Sequence, residues 1–335
     1  MQICTWLLLP LPLAAQPLVA PSRPPRDSAG KSSPESKEAA KKEDEELKRA
    51  EALLARGDAG AAQKLLEAYL QKQPRSTRAL LDLGLAFELQ EQNKEAEASY
   101  RKALSVDPRF AEAYNNLGYL YRNQKRLDEA LSAFRKAVQL RPNFAEAQEN
   151  LALCLEDKGD LKGATKAYRD AIRLVPKEPL LRANLGLVWL KLGERNKALE
   201  ALRSALPLAK NNVAALQALG NGLRRAGAFE EALRAMKAAV ALQGSKASPA
   251  LLTELALAYR AAGDRTQAEK TLRRVLALQA NDPVAHYVLG NLLAARGALA
   301  EAKEHFQRVI KLEGKSALAR SASEAMARLN TTPKR

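Results

Sequence analysis

The sequence predicts an all-α solenoid of eight helical hairpins, and three regularities carry that prediction. Alanine recurs at Ala62, Ala96, Ala130, Ala164, Ala198, Ala232, Ala268 and Ala302, spaced by 34 residues except for one step of 36. Twelve residues before each of them sits a second small residue: Ala50, Gly84, Gly118, Ala152, Gly186, Gly220, Ala256 and Gly290. Seven residues after the small positions of the fourth to eighth repeats come Gly159, Gly193, Gly227, Gly263 and Gly297. A fixed period of this length is the mark of stacked supersecondary units, each packing only on its neighbours along one continuous core.

Within one period the residue types dictate two helices. Leu117 and Tyr121 lie four apart and share a helix face, while Gly118 and Ala130 have so little side chain that two helices can cross closely there. The glycines at the recurrent turn suit a left-handed residue that ends the first helix. Pro74, Pro108, Pro142 and Pro176 then stop the second, because proline cannot continue the hydrogen-bond ladder. Lys210, Gly244, Ala280 and Gly314 stand in for that proline later, so those second helices are expected to end less sharply. The 36-residue step comes from two extra residues in 244–249, read as a longer inter-repeat loop.

Segment Phe110 to Arg141 reads FAEAYNNLGYLYRNQKRLDEALSAFRKAVQLR before Pro142. Tyr114, Leu117, Gly118, Tyr121, Ala130, Phe134, Ala137 and Pro142 fill the bulky, large, small, aromatic, small, aromatic, small and proline positions of the tetratricopeptide (TPR) repeat, which this unit resembles. The resemblance extends over residues 43–316, as repeats 43–76, 77–110, 111–144, 145–178, 179–212, 213–248, 249–282 and 283–316. It implies a right-handed superhelical solenoid. Glu46 and Arg49 replace bulky residues in the first repeat, as suits a unit whose outer face meets water, and Gln148, Arg182 and His286 hold the bulky position in later ones. After the eighth repeat, Leu318, Ala322, Ala325, Met326 and Leu329 keep helical spacing, which predicts a C-terminal capping helix over 317–330 and a disordered tail over 331–335.

Residues 1–20 read MQICTWLLLPLPLAAQPLVA, a short apolar stretch followed by small residues, and are read as a secretory signal although no Lys or Arg precedes it. Residues 21–42, rich in Pro, Ser and charge, are read as a disordered tether. Export to the periplasm or cell envelope of a bacterium follows from that reading. Removal of the signal would leave Cys154 as the one thiol, with no intrachain disulfide possible. No apolar run reaches the length of a membrane-spanning helix.

Catalysis finds no support in the residue inventory. The two histidines and two cysteines show no CxxC or HExxH spacing, and the glycines fall at turn or helix-crossing registers instead of in a phosphate loop. No metal or cofactor is expected. The formal charge of +16, from 54 Lys and Arg against 38 Asp and Glu, is interspersed with acids on solvent faces and lacks aromatic interleaving, which reads as solubility and weak steering.

The family resemblance places first helices along a concave groove. There Asn116, Asn150 and Asn184 recur at one repeat position, and an amide can both donate to and accept from a peptide backbone. The series resembles the asparagine ladder of O-linked N-acetylglucosamine transferases. Lys191, Arg224, Arg225 and Arg260 make the later part of that groove basic, whereas Glu149, Glu156 and Asp157 make the fourth repeat acidic. No set of repeats matches the carboxylate clamp of chaperone-binding TPR domains. The expected function is therefore a non-enzymatic scaffold or assembly factor that binds an extended peptide or folded protein partner. Two other readings are a recruiter of a cell-wall or glycosyl-transfer enzyme and a binder of polyanions.

Overall fold

A computed structural model describes residues 34–331; the expected signal over 1–20, the tether up to residue 33 and residues 332–335 lie outside the described residues. Those described form α-helices and two short 3-10 turns, with no strand among them. The first compact unit, up to Asn150, contains the hairpins α1 (Pro34–Ala55) with α2 (Ala59–Lys72), α3 (Thr77–Leu89) with α4 (Asn93–Val106), and α5 (Ala111–Asn123) with α6 (Leu127–Leu140), and ends within α7 (Ala145–Asp157). From Leu151 the second unit continues through α8 (Leu161–Leu174), α9 (Pro179–Lys191) with α10 (Arg195–Ala205), and α11 (Val213–Arg225) with α12 (Phe229–Gln243). It closes with α13 (Pro249–Ala261) and α14 (Arg265–Leu278), α15 (Pro283–Ala295) and α16 (Leu299–Glu313), and α17 (Ala317–Thr331).

The first helix starts earlier than the sequence suggested. Residues 34–42 were expected to be part of the disordered tether, yet α1 begins at Pro34. Proline is well placed at a first helical position, where its missing N–H costs nothing, and the Glu, Lys and Ala that follow are strong helix formers.

Each hairpin is held by a notch and a filler. The small first-helix position does more than let two backbones approach, because it receives the large side chain sixteen residues on. Tyr100 lies on Gly84, Phe134 on Gly118, Leu202 on Gly186, Met236 on Gly220 and Phe306 on Gly290. A Cβ on Gly118 would stand 2.8 Å from the Phe134 ring, inside van der Waals contact. All five fillers are buried, as are Leu66, Tyr168 and Leu272 at the same register in the hairpins whose small residue is alanine. Burying such a side chain is worth roughly 1.5–3 kcal/mol, so the series accounts for a large part of the core.

Helix ends follow local chemistry. Asp58, Ser76, Asp160, Asn212, Ser248, Asp264 and Asp282 each accept a backbone N–H in the first turn of the helix that follows. The five turn glycines, and Gly57 at the same turn of the first repeat, all have positive φ, between 78° and 89°. At the same turn in the second and third repeats the chain keeps this conformation with Glu91 at φ 61° and Lys125 at φ 62°. A left-handed β-carbon costs about 1–2 kcal/mol, so these two turns are imposed by the packing on either side of them.

Loss of the late prolines does not blur helix ends as expected. α14 stops at Leu278, in the register of the proline-terminated helices, while α12 and α16 run one residue longer and end on Gly244 and Gly314, both at φ 57°. The two extra residues are taken up by a three-residue 3-10 turn, Gly244–Lys246, before Ser248 caps α13. α10 is cut short at Ala205 because Pro207 converts its end into the 3-10 turn Leu206–Leu208. At the C-terminus α17 packs on α15 and α16 and buries Ala319 and Ala322.

Two substitutions separate notch from turn. Gly118→Leu forces the Phe134 ring out of its seat and is expected to lower stability by about 1–3 kcal/mol or more. Lys125→Gly relieves the left-handed residue and is expected to raise it by roughly 0.5–1 kcal/mol. Urea unfolding of both variants checks the pair, and equal stability of either with wild type contradicts the packing described.

Candidate functional site

In the first unit several polar groups on first helices are already engaged within the protein. Arg78 of α3 pairs with Glu51 of α1 at 3.0 Å and with Asp82 at 3.1 Å. Asn150 does not offer a free amide: its Nδ2 donates to Oδ1 of Asn115 at 3.0 Å, and Asn115 in turn donates to Glu146 at 2.9 Å. Asn116 bonds the Tyr100 hydroxyl, which itself donates to Glu88 at 2.9 Å. Asn115, which joins Asn150 to Glu146, is only 2 % exposed.

The second unit is different. Asn184 is buried, with its Nδ2 lacking a hydrogen-bond partner, and so is not displayed to a ligand as expected. Lys191 also leaves the basic set, because its Nζ pairs with Glu156 at 2.6 Å; the opposite charges expected at separate parts of the groove meet across neighbouring first helices. Arg224 and Arg225 of α11 and Arg260 of α13 remain. Arg224 reaches only Asn221, at 3.4 Å, and its Nε is buried without a partner. Among the described residues no carboxylate stands within ion-pair distance of these three guanidinium groups. Burial, then the charge of Arg224, pushes both Arg225 and Arg260 below the usual arginine range. Glu254 on α13 is pushed up by burial, and the charge of Arg224 offsets that only in part.

Two openings flank these helices, one in each unit. The first, of about 910 Å³, runs over Tyr114, Leu117 and Tyr121 of α5 and is rimmed by charges of both signs, among them Arg101, Arg135, Asp128 and Glu129. The second, of about 380 Å³, lies at the turns after α9 and α11, lined by Leu190, Gly193, Arg195, Arg224, Arg225, Gly227 and Phe229. Arg195 and Phe229 escaped the sequence reading because they open second helices, outside the expected groove. A signal was there: each stands two residues beyond a turn glycine. The fold also brings His286 and His305 together, with their Nδ1 atoms 2.7 Å apart and Nε2 of His286 3.0 Å from the Ala280 carbonyl. Space-filling alone was expected of His286; the carbonyl fixes its tautomer, leaving Nδ1 to accept from His305.

Comparison with known proteins agrees with this architecture. Models of the tetratricopeptide repeat match residues 111–144, 223–292, and 131–179 with 156–215, and a further TPR repeat model matches 84–125. The chain belongs to the tetratricopeptide repeat family, whose members generally mediate protein–protein interaction and whose fold is typically a non-enzymatic scaffold. Similar solved structures include the APC/C hetero-tetramer Cut9-Hcn1, with TM-score 0.58 and 20% identity over 83% of this chain and 55% of that one. A tetratricopeptide repeat protein from Parabacteroides merdae matches with TM-score 0.57 and 18% identity, over 75% of this chain and 99% of that one. At such identities the likeness is one of fold, and the chain spans little more than half the length of the Cut9-Hcn1 chain. No curated protein matches it. No described helix is long and apolar enough to cross a membrane.

Buried Asp82 and half-buried Glu88 make stability depend on pH in a defined direction. Burial pushes Glu88 up to about 7 and Asp82 up to about 6. The folded protein therefore holds these protons more tightly than the unfolded chain, a contribution fully present below about pH 4 and lost as pH rises through 6 to 7. Glu88→Gln keeps an acceptor for Tyr100 and removes the titration. Thermal melts at pH 5 and 8 should show the variant gaining on wild type at the higher pH by about 1–2 kcal/mol, after allowance for partial exposure. An equal difference at both values would mean that Glu88 is ionised in the fold.

Proposed function

We propose that the chain is a non-enzymatic adaptor or assembly scaffold that takes an extended acidic segment of a partner protein along the first-helix face of its second unit. The observation that carries this reading is the group Arg224, Arg225 and Arg260, three guanidinium groups that repel one another and have no carboxylate within ion-pair distance. An anion placed among them relieves that repulsion, and the planar guanidinium matches a carboxylate with two parallel hydrogen bonds. A polyanion reading has less support. Much of the basic surface is already neutralised, as in Lys191 with Glu156, Arg203 with Glu231 and Arg273 with Glu301, whereas nucleic acid needs a row of free cations along its phosphates.

Exposed charges act mainly on association and are screened beyond about 8–10 Å at physiological salt. The double variant Arg224→Glu, Arg225→Glu should weaken capture of a glutamate-rich peptide about tenfold or more at low salt and much less at high salt. A loss of equal size at both, with helicity intact, would place the peptide elsewhere.

The setting we propose is the bacterial envelope, an inference from residues 1–20 alone. Fused to a reporter active only outside the cytoplasm, residues 1–42 should deliver it there. An uncleaved cytoplasmic fusion would remove the assignment without touching the peptide-binding reading.

A further inference from the structure

The cavity at the turns after α9 and α11 combines three cations with an apolar wall, and no acid lines it. Arg195 opens α10 and lies against Gly227, at whose α-carbon a side chain would collide with the guanidinium. Arg224 and Arg225 come from the last turn of α11. Leu190 and Phe229 supply the apolar part, and the Phe229 ring is 43% exposed although it stands on a helix of a packed hairpin. Of the acids nearby, Glu194 pairs with Lys197 at 3.3 Å and Glu156 with Lys191 at 2.6 Å. Among the described residues Arg195 has no ion-pair partner.

From this geometry we infer that the cavity is an anchor for one acidic-apolar element of the partner, a carboxylate pair next to a large apolar side chain, which the second unit's arginine face then extends. The inference rests on the proposed acidic segment and adds where it is pinned and by what chemistry. Two carboxylates suit the three guanidinium groups better than one, since a single charge leaves two cations facing each other. The neighbouring apolar side chain covers Leu190 and Phe229, removing an exposed aromatic from water. At about 380 Å³ the space admits two or three side chains and not a folded domain.

Fluorescence anisotropy on the full chain tests this with labelled peptides. One probe carries a Glu-Glu-Leu element within a glutamate-rich segment, the second replaces its leucine by serine, and the third replaces the paired glutamates by one phosphoserine. Arg195→Gln, which lies outside the first-helix face, is expected to weaken the leucine probe by about three- to tenfold. Phe229→Ala should weaken the leucine probe and leave the serine probe unchanged. If Arg195→Gln and Phe229→Ala both bind the leucine probe as wild type does while Arg260→Gln weakens it, the anchor is wrong and the arginine face stands. If all three variants bind as wild type does, both fall. Tighter binding of the phosphoserine probe than of the leucine probe, lost in Arg195→Gln, would overturn the carboxylate assignment in favour of a phosphoryl group. Circular dichroism of each variant guards the reading, and a variant with lost helicity is replaced by Arg195→Lys, which keeps the charge, removes the fork, and should still weaken the leucine probe.

Discussion

The contact on which the rest of the molecule depends is the seat that a small first-helix residue makes for a large second-helix side chain sixteen residues later. It sets how close the two helices of a hairpin come and leaves each hairpin with one filled interior. Because the fillers are fully buried, they also fix which sides of the helices remain for neighbouring hairpins and for solvent. Turn chemistry is subordinate to it. Glu91 and Lys125 adopt a left-handed backbone that their side chains disfavour, and they do so because the helices on either side are already held.

Given that frame, the polar residues on first helices divide into two kinds. Some are structural, joining one hairpin to the next: Arg78 to Glu51, Asn150 to Asn115, Lys191 to Glu156. Their hydrogen bonds and charges are satisfied within the protein, so a ligand gains little by displacing them. Arg224, Arg225 and Arg260 are the other kind, crowded by like charge and partly desolvated with no carboxylate within ion-pair distance. A repeat scaffold has few ways to mark a binding surface, and a group of like charges with no counter-ion is one of them. The cavity beside Arg195 adds an apolar wall to that mark.

The histidine pair shows how a repeat protein can hide local chemistry. His286 takes a position that in other repeats is merely bulky, yet it links the Ala280 carbonyl before α15 to His305 on α16. Burial, then the neighbouring ring, pushes His305 down, so its protonation opposes folding as pH falls below about 6.5. That sign is the reverse of the contribution from Glu88 and Asp82, and the two effects act in different units of the chain.

The period of small residues, the turn glycines and the early prolines were enough to determine the all-α hairpin architecture, because each is a requirement of backbone geometry or of close packing that only certain residues meet. Type and order of the helices were legible for the same reason, whereas the late helix ends were misjudged, since Gly244 and Gly314 terminate helices by a left-handed cap as firmly as proline does by its missing N–H. The site was legible only as residue types on a face. Spacing alone cannot say that Asn150 is spent on Asn115, that Asn184 is buried, or that Lys191 finds Glu156 one repeat away, because a side chain's availability depends on what stands opposite it in space. Tertiary structure decided which charges remain uncompensated, and it alone placed Arg195 and Phe229 beside Arg224 and Arg225, since these residues come from two turns that the sequence separates by a whole repeat.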